Sequence, residues 1–380
     1  MKYLTLTDSL GEQAGGLAHA SLNLAFRTAI QMPDHGFYIV SGSDMNEIDI
    51  DIYKLPNLEI LKVPCLRNQV FPINFRLAST ISSINPDLIH LKGLWRQGSI
   101  AACSWKLKNP NKSLIVQTAG MLEPWARNRN SLLKSIYYRL FEKKLIDLCD
   151  QVHATSAREV ANLEKAGIRN EKILLLEEGI EIPANLPSKE VTIKPIRTLL
   201  FLSRIHPVKG IEVLLEAFSL LRPKGWICKI AGMGSSAYQQ KLQEKCKTYA
   251  LDQHVQFIGA LKGDSKRQAF LEADAFILPS YTESFGIAVA EAMSYGLPVI
   301  TTTETPWDCV EALGLGWRVA PNVHSLSKAL FELFQSSDQQ LHKMGKLAQS
   351  YVFNQYSWDA IAERLQKHYA DLTINSEIQE

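Results

Sequence analysis

The stretch AFILPSYTESFGIAVAEAMSYGLPVITT, residues 275–302, reads as strand, loop, helix and strand in one short run. AFILPS is a compact apolar segment that ends near Ser280, and YTE is a loop. Ser284, Phe285 and Gly286 sit where a helix begins. The helix continues through AVAEAM and stops near Gly296, with Pro298 beyond it. PVITT then reads as the next strand. Strands that alternate with helices imply parallel sheets covered on both faces.

The same alternation runs through the chain. YLTLT (3–7), FYIVS (37–41), DLIHL (87–91) and LIVQT (114–118) read as strands, with a helix over 17–30 after Gly15-Gly16. TLLFLS (198–203) restarts the pattern, followed by a helix at 210–221 and by strands WICKIAG (226–232) and VQFIG (255–259). Between the halves, EIPANLPSKEVTIKPIR (181–197) carries three prolines and no helical period, which marks a linker. The expected domains are 1–183, a linker at 184–196, 197–355, and a terminal segment 356–380 whose helix (358–372) packs back toward the first domain. TINSEIQE reads as frayed. The fold class is α/β, with two doubly wound parallel-sheet domains facing across a cleft that can open and close.

With 380 residues, a net charge of +2, 46% hydrophobic and 21% charged residues, the chain fits a globular protein and gives no sign of nucleic-acid binding. Six scattered cysteines without a CxxC pair fit free thiols in a cytoplasmic setting. The N-terminus has no signal-peptide core, and no apolar run reaches membrane-spanning length. WARNRNSLLKSIYYRLFEKKL (125–145), basic with interleaved aromatics, reads either as a solvated helix face or as a dock on an anionic membrane.

Glu283 lies at a helix entrance and Glu291 two turns inside. Alone, such acids complement the helix dipole or face solvent. Here Ala288, Ala290 and Ala292 promise one small helix face, and a helix N-terminus is an anion site. An acid at that entrance fits a ligand with hydroxyls at each end and an anionic middle, the layout of a nucleotide-sugar. FLSRIHPVKGIEVLLEAF (201–218) supplies charge: Arg204 follows a strand and Lys209 precedes a helix, both suited to phosphate.

At these residues the sequence resembles the retaining glycosyltransferases of two-domain GT-B architecture, family 4 (glycosyl transferases group 1). Glu283 and Glu291 match the E-x7-E motif, Arg204 and Lys209 the donor motif, and AGMGS (231–235) the glycine turn. GGL (15–17), DLIHLKGLW, GMLEPWA and YSW (356–358) extend the likeness over nearly the whole chain. The resemblance implies that Arg204 and Lys209 bind the donor diphosphate, Glu291 the ribose and Glu283 the hexose. It assigns the amides near Phe285, Gly286, Ile287 and Ala288 to hexose and phosphate. Gly15 and Gly16, Gly232, Lys266, and the backbone around Ile258 and Leu261 complete the donor set. Glu283, Arg204 and Lys209 carry catalysis, with no cofactor and no metal. On the acceptor side stand His90, Ala119, Gly120 and Glu123. Ala119 replaces a frequent histidine and Lys92 another, and His90 is read either as cleft-lining or as a buried, satisfied histidine.

The implied activity is metal-independent transfer of a hexose, glucose by family frequency, from a UDP-sugar to a glycan or lipid-linked saccharide acceptor. Exopolysaccharide or cell-envelope glycan synthesis is the implied setting, in the cytoplasm or at the inner membrane face. Alternatives are a catalytically weak nucleotide-sugar-binding scaffold and an epimerase or hydrolase on the same fold. Asp49-Ile50-Asp51 is a DxD, but EIDIDIY reads as an edge strand with its acids in solvent.

Overall fold

A computed structural model describes residues 1–10, 16–42, 50–63, 75–95, 97–122, 138–184, 186 and 194–377. The chain divides into two compact units, Met1–Gly179 with Trp358–Glu380, and Ile180–Ser357.

The first unit is built on a seven-stranded parallel sheet. Its strands are β1 (Lys2–Thr7), β2 (Gly36–Ser41), β3 (Leu58–Lys62), β4 (Leu88–Lys92), β5 (Ser113–Gln117), β6 (Gln151–Ala154) and β7 (Ile173–Leu175), in the order β3-β2-β1-β4-β5-β6-β7. Side chains alternate across a pleated strand. Leu4, Leu6, Ile89, Leu91, Leu114 and Val116 therefore join one core, while Tyr3, Ile39, Leu88 and Ile115 join a second on the opposite face. Both faces are covered, which is why successive residues of the central strands are buried, Thr5, His90 and Lys92 included.

The second core is closed by the last helix, Trp358–Glu377. Trp358, Ile361, Leu365 and Tyr369 recur at helical spacing and are buried beside Ala18, Leu22, Ala25 and Ala29 of the helix Gly16–Gln31. Tyr369 stacks on Tyr3 at 4.9 Å. The end read as frayed is helical to Glu377, continuing the run that buries Tyr369.

The second unit carries β8 (Arg197–Leu202), β9 (Trp226–Ala231), β10 (Val255–Gly259), β11 (Ala275–Leu278), β12 (Val299–Thr302) and β13 (Gly316–Val319). They form a parallel sheet in the order β10-β9-β8-β11-β12-β13. In both sheets the order reverses beside the first strand, placing switch points at β1/β4 and β8/β11.

Three sequence expectations differ from the structure. The strands β3, β6, β7 and β13 are short, and three of them are sheet edges, so their apolar signal is weak. The described end of EIDIDIY, Ile50–Tyr53, is a 3-10 turn rather than an edge strand, and β3, Leu58–Lys62, is the edge of the sheet among the described residues. Asp49 lies outside the described residues. The division falls at Gly179 and Ser357 rather than at residues 183 and 355, because Ile180 pairs with the end of its own unit, its N–H donating to Tyr356 O at 2.7 Å. Of the expected linker only residues 184, 186 and 194–196 are described.

Gly179 backs directly onto the Trp358 indole, and a Cβ there would come within 2.2 Å of a ring carbon. Gly179→Ala should therefore push Trp358 out of its seat and cost about 1–3 kcal/mol. A thermal melt of Gly179→Ala superimposable on the parent would show that this contact is not tight.

Candidate functional site

Two loops meet at the β8/β11 switch point. After β8, Arg204 is exposed, and a 3-10 turn, Pro207–Lys209, leads to the helix Ile211–Leu221. After β11, Pro279 and Ser280 lead to Glu283 and the helix Ile287–Ser294. The loops touch because residue 210 is glycine. Gly210 is left-handed (φ 69°), and a Cβ would lie 2.0 Å from Pro279 O. Tyr281 N–H donates to Val208 O at 2.8 Å, completing the junction.

That junction brings Lys209 and Glu283 together. Lys209 Nζ donates to Glu283 Oε1 at 2.5 Å, and Ser280 Oγ donates to the same oxygen at 2.6 Å. Both members of the pair are about one-tenth exposed. Glu283 Oε2 makes no hydrogen bond among the described residues and stays open. Glu291 repeats the arrangement: Lys266 Nζ donates to its Oε1 at 2.6 Å, and its Oε2 makes no hydrogen bond among the described residues. Each glutamate thus has one oxygen tied by a lysine and one available to a hydroxyl.

Between them runs a series of unpaired amides. Among the described residues, the N–H groups of 284–288 donate to nothing in the protein; the first backbone amide engaged is Val289, to Gly286 O at 2.8 Å. These amides lie at the start of a helix, where the dipole favours negative charge. Gly286 caps the helix in the left-handed region (φ 82°), and a Cβ there would come within 3.1 Å of Trp307 Nε1. Trp307, fully buried, fixes the turn by donating its indole N–H to Phe285 O at 2.7 Å. Ile287, Ala288 and Glu291 are half-buried, whereas Val289, Ala290, Ala292 and Met293 are core. Ala290 is turned about 200° from each of the other two alanines, so the three do not share one small face; Ala288 and Ala292, four residues apart, lie on the same side, where Ala292 is core. Only Ala288 stands beside Glu291.

Gly232 follows β9 with its α-carbon close to Ser203 O. Ile258 is half-buried near the end of β10, Leu261 is half-buried in the next loop, and Lys266 lies on the helix Gly263–Glu272. Sequence reasoning missed Ser280, Trp307 and the two lysine–glutamate pairs. Ser280 stands three residues before Glu283, a spacing that could have signalled it. Partners 74 and 25 residues apart left no such mark.

In the first unit, Gly16 begins the helix Gly16–Gln31, and Gly15 and Glu123 lie outside the described residues. Ala119 and Gly120 form a left-handed pair (φ 47° and 73°) in a turn closed by Met121 N–H to Thr118 O at 2.9 Å. His90 is not a surface group: it is 1% exposed, with both ring nitrogens engaged. His153 Nε2–H donates to Leu176 O at 2.7 Å, so its Nδ1 accepts from His90 Nε2–H at 3.0 Å. His90 Nδ1 then accepts from the Tyr369 hydroxyl at 3.0 Å. Burial holds both imidazoles well below their usual pKa. Lys92 Nζ lies 3.2 Å from His90 Nε2, and burial pulls Lys92 down to about 7 against the opposing pull of Glu178. Of the basic 125–145 segment, 138–145 is described. It is not a solvated face throughout, since Glu142 is fully buried, accepts from Trp95 N–H at 2.7 Å and is pushed up to about 7 by desolvation. No described helix is long and apolar enough to cross a membrane.

Comparison with known proteins covers both units. The family described as Glycosyl transferases group 1 matches residues 187–351, and that described as Glycosyltransferase Family 4 matches residues 25–182. A D-inositol 3-phosphate glycosyltransferase of Corynebacterium efficiens is 24% identical over 315 residues, covering 76% of this chain and 72% of that protein. A lipopolysaccharide 1,2-N-acetylglucosaminetransferase of Salmonella typhimurium is 27% identical over 186 residues, covering 44% and 47%. Matches to several curated relatives span about half of their length. The solved structure of Anabaena Alr3699/HepE in complex with UDP superposes with a TM-score of 0.76 at 16% identity, covering 98% of this chain and all of that one.

The Lys209–Glu283 pair is open to test by stability. Removing one partner of a buried ion pair strands the other charge, so Lys209→Met should cost roughly 3–5 kcal/mol. Adding Glu283→Gln should recover much of that loss. Chemical denaturation decides: a double variant no more stable than Lys209→Met would mean that the stranded carboxylate is not the source.

Proposed function

Because the chain belongs to the GT-B glycosyltransferases of the group 1 and family 4 type, we propose that it transfers a hexose from a UDP-sugar, with retention and without a metal. The observation that carries the donor reading is the run of unpaired amides at 284–288, flanked by two glutamates that each keep one oxygen open. The amides suit the diphosphate. The open oxygen of Glu283 suits hexose hydroxyls and that of Glu291 the ribose. Arg204, exposed after β8, adds a planar cation for phosphate oxygens. UDP and UDP-glucose occupy the structures of Alr3699/HepE, which supports UDP as the nucleotide and glucose as the first sugar to try.

In retaining transfer the donor passes through an oxocarbenium-like state while negative charge gathers on the leaving phosphate. Arg204, Lys209 and the helix amides would stabilise that charge, and a fixed array of donors costs no reorganisation as the bond breaks. Lys209 is shared. It holds Glu283 through one N–H and keeps its others for the phosphate, so the sugar-side acid and the phosphate-side cation are set by one contact. The acceptor is a glycan or lipid-linked saccharide. Relatives that act on envelope saccharides support cell-envelope glycan or exopolysaccharide synthesis as the setting.

Charge-assisted hydrogen bonds contribute about 1.5–3 kcal/mol each. Arg204→Ala and Glu291→Ala should therefore each weaken UDP binding about tenfold or more by calorimetry; unchanged affinity in both would remove the donor assignment. Glu283→Ala should still bind UDP but release little hexose from UDP-glucose. If the parent itself releases no sugar from any nucleotide-sugar, with or without acceptor, a binding scaffold replaces the enzyme. EDTA should leave turnover largely intact. Loss with chelator and recovery with Mn²⁺ would overturn the metal-independent mechanism.

A further inference from the structure

The helix Asp338–Tyr356 ends where the chain leaves the second unit, in the run Tyr356-Ser357-Trp358. Ser357 is extended (φ −60°, ψ 146°), so the helix stops, and its two aromatic neighbours enter different cores. Trp358 is buried in the first unit and Tyr356 in the second. The chain enters the second unit at the same place. Ile180 pairs with Ser357, and its N–H donates to Tyr356 O at 2.7 Å.

The ring of Tyr356 is one of three in mutual contact. Its centroid lies 5.5 Å from that of Phe285 and 5.2 Å from that of Trp307, and the Phe285 and Trp307 rings are 5.1 Å apart. None of the three residues is more than 9% exposed. Phe285 belongs to the run of unpaired amides at 284–288. Its carbonyl is taken by the Trp307 indole, and its side chain is packed by Trp307 and Tyr356. Its N–H has no acceptor among the described residues. A turn whose side chain and carbonyl are both fixed presents its amides without an ordering cost when a ligand arrives. Loss of the Tyr356 ring would leave a void against both other rings, and a close-packed interior relaxes only in part.

We propose that Tyr356 is a positioning residue for the donor nucleotide: its ring holds the Phe285 turn that presents the amides of 284–288, and its carbonyl ties that turn to Ile180, where the chain enters the unit. This rests on the donor reading above. Tyr356 acts through Phe285 and touches no ligand. Because linked equilibria are reciprocal, a nucleotide that tightens the turn also tightens Ile180.

The test is UDP binding by the full chain, measured by calorimetry on the parent, Tyr356→Leu and Tyr356→Phe, with Phe334→Leu as control. Phe334 packs on Phe218 and on Trp226, which opens β9 at the sheet edge opposite the donor loops. Tyr356→Leu should weaken UDP binding about fivefold or more, as expected of a site whose supporting residues have loosened. Tyr356→Phe keeps the ring and should stay within about twofold of the parent. Phe334→Leu should lower the Tm and leave UDP affinity within about twofold, which separates positioning from general stability. In the parent, saturating UDP should slow amide exchange at Ile180 more than at Arg197, whose N–H donates to Gly225 O at the far edge. In Tyr356→Leu that excess should vanish. Should Tyr356→Leu not fold, Tyr356→Met, which also lacks the ring, is measured in its place. UDP affinity within twofold of the parent in the ringless variant, an equal loss in Phe334→Leu, or equal slowing at Ile180 and Arg197 in the parent overturns the proposal and leaves the donor reading in place. A parent that does not bind UDP removes both.

Discussion

The contact between Lys209 and Glu283 is the constraint on which the second unit's site depends. A buried ion pair is stable only when its geometry compensates for the water that both charges lose. That demand explains the glycine at 210, because any side chain there would separate the loop after β8 from the loop after β11. It also explains Ser280, which takes up lone-pair capacity that water would otherwise fill. With Oε1 of Glu283 held from two sides, the direction of Oε2 is fixed before any ligand arrives. Preorganisation of this kind separates a site from a cluster of polar residues.

Much of this was legible in the sequence, for identifiable reasons. The fold was visible because the sheets are covered on both faces, so most of the longer strands carry large apolar residues at neighbouring as well as alternate positions. β3, β7 and β13 escaped because edge strands need less apolar surface. At Ile50–Tyr53 alternation misled because it describes a strand only when a partner edge is free, and β3 pairs with β2 there instead. Glu283, Glu291, Arg204 and Lys209 could be named from their positions at strand and helix ends. Their pairing could not, since it joins loops distant in sequence. The three alanines show the converse error: composition suggested one small face, and helical geometry turns Ala290 away from Ala288 and Ala292.

The first unit solves a different problem. Its sheet ends hold His90, Lys92, His153 and Glu178 under conditions that disfavour charge on the imidazoles and on the amine. The hydrogen-bond directions run one way, from the Tyr369 hydroxyl through His90 and His153 to Leu176 O, and they satisfy each ring in its neutral form. Such a network fixes register in a core that apolar packing alone would leave less specific. Glu159, also buried, uses a carboxylate to the same end, accepting from Thr118 Oγ1–H and Gly120 N–H on one oxygen and from Thr155 on the other.

That polar network includes Tyr369, and the first unit is completed by a helix that the chain makes only after the whole of the second unit. During synthesis, residues 1–179 emerge with Tyr3, Leu22, Leu88 and Ile115 lacking the cover of Trp358, Ile361, Leu365 and Tyr369. At translation rates of 5–20 residues per second, the interval is roughly 10 to 40 s. Over that time the second unit, continuous in sequence, can fold on its own, while the first waits with one face of its sheet partly bare. The unit begun first is therefore the one completed last, when its final helix covers the sheet.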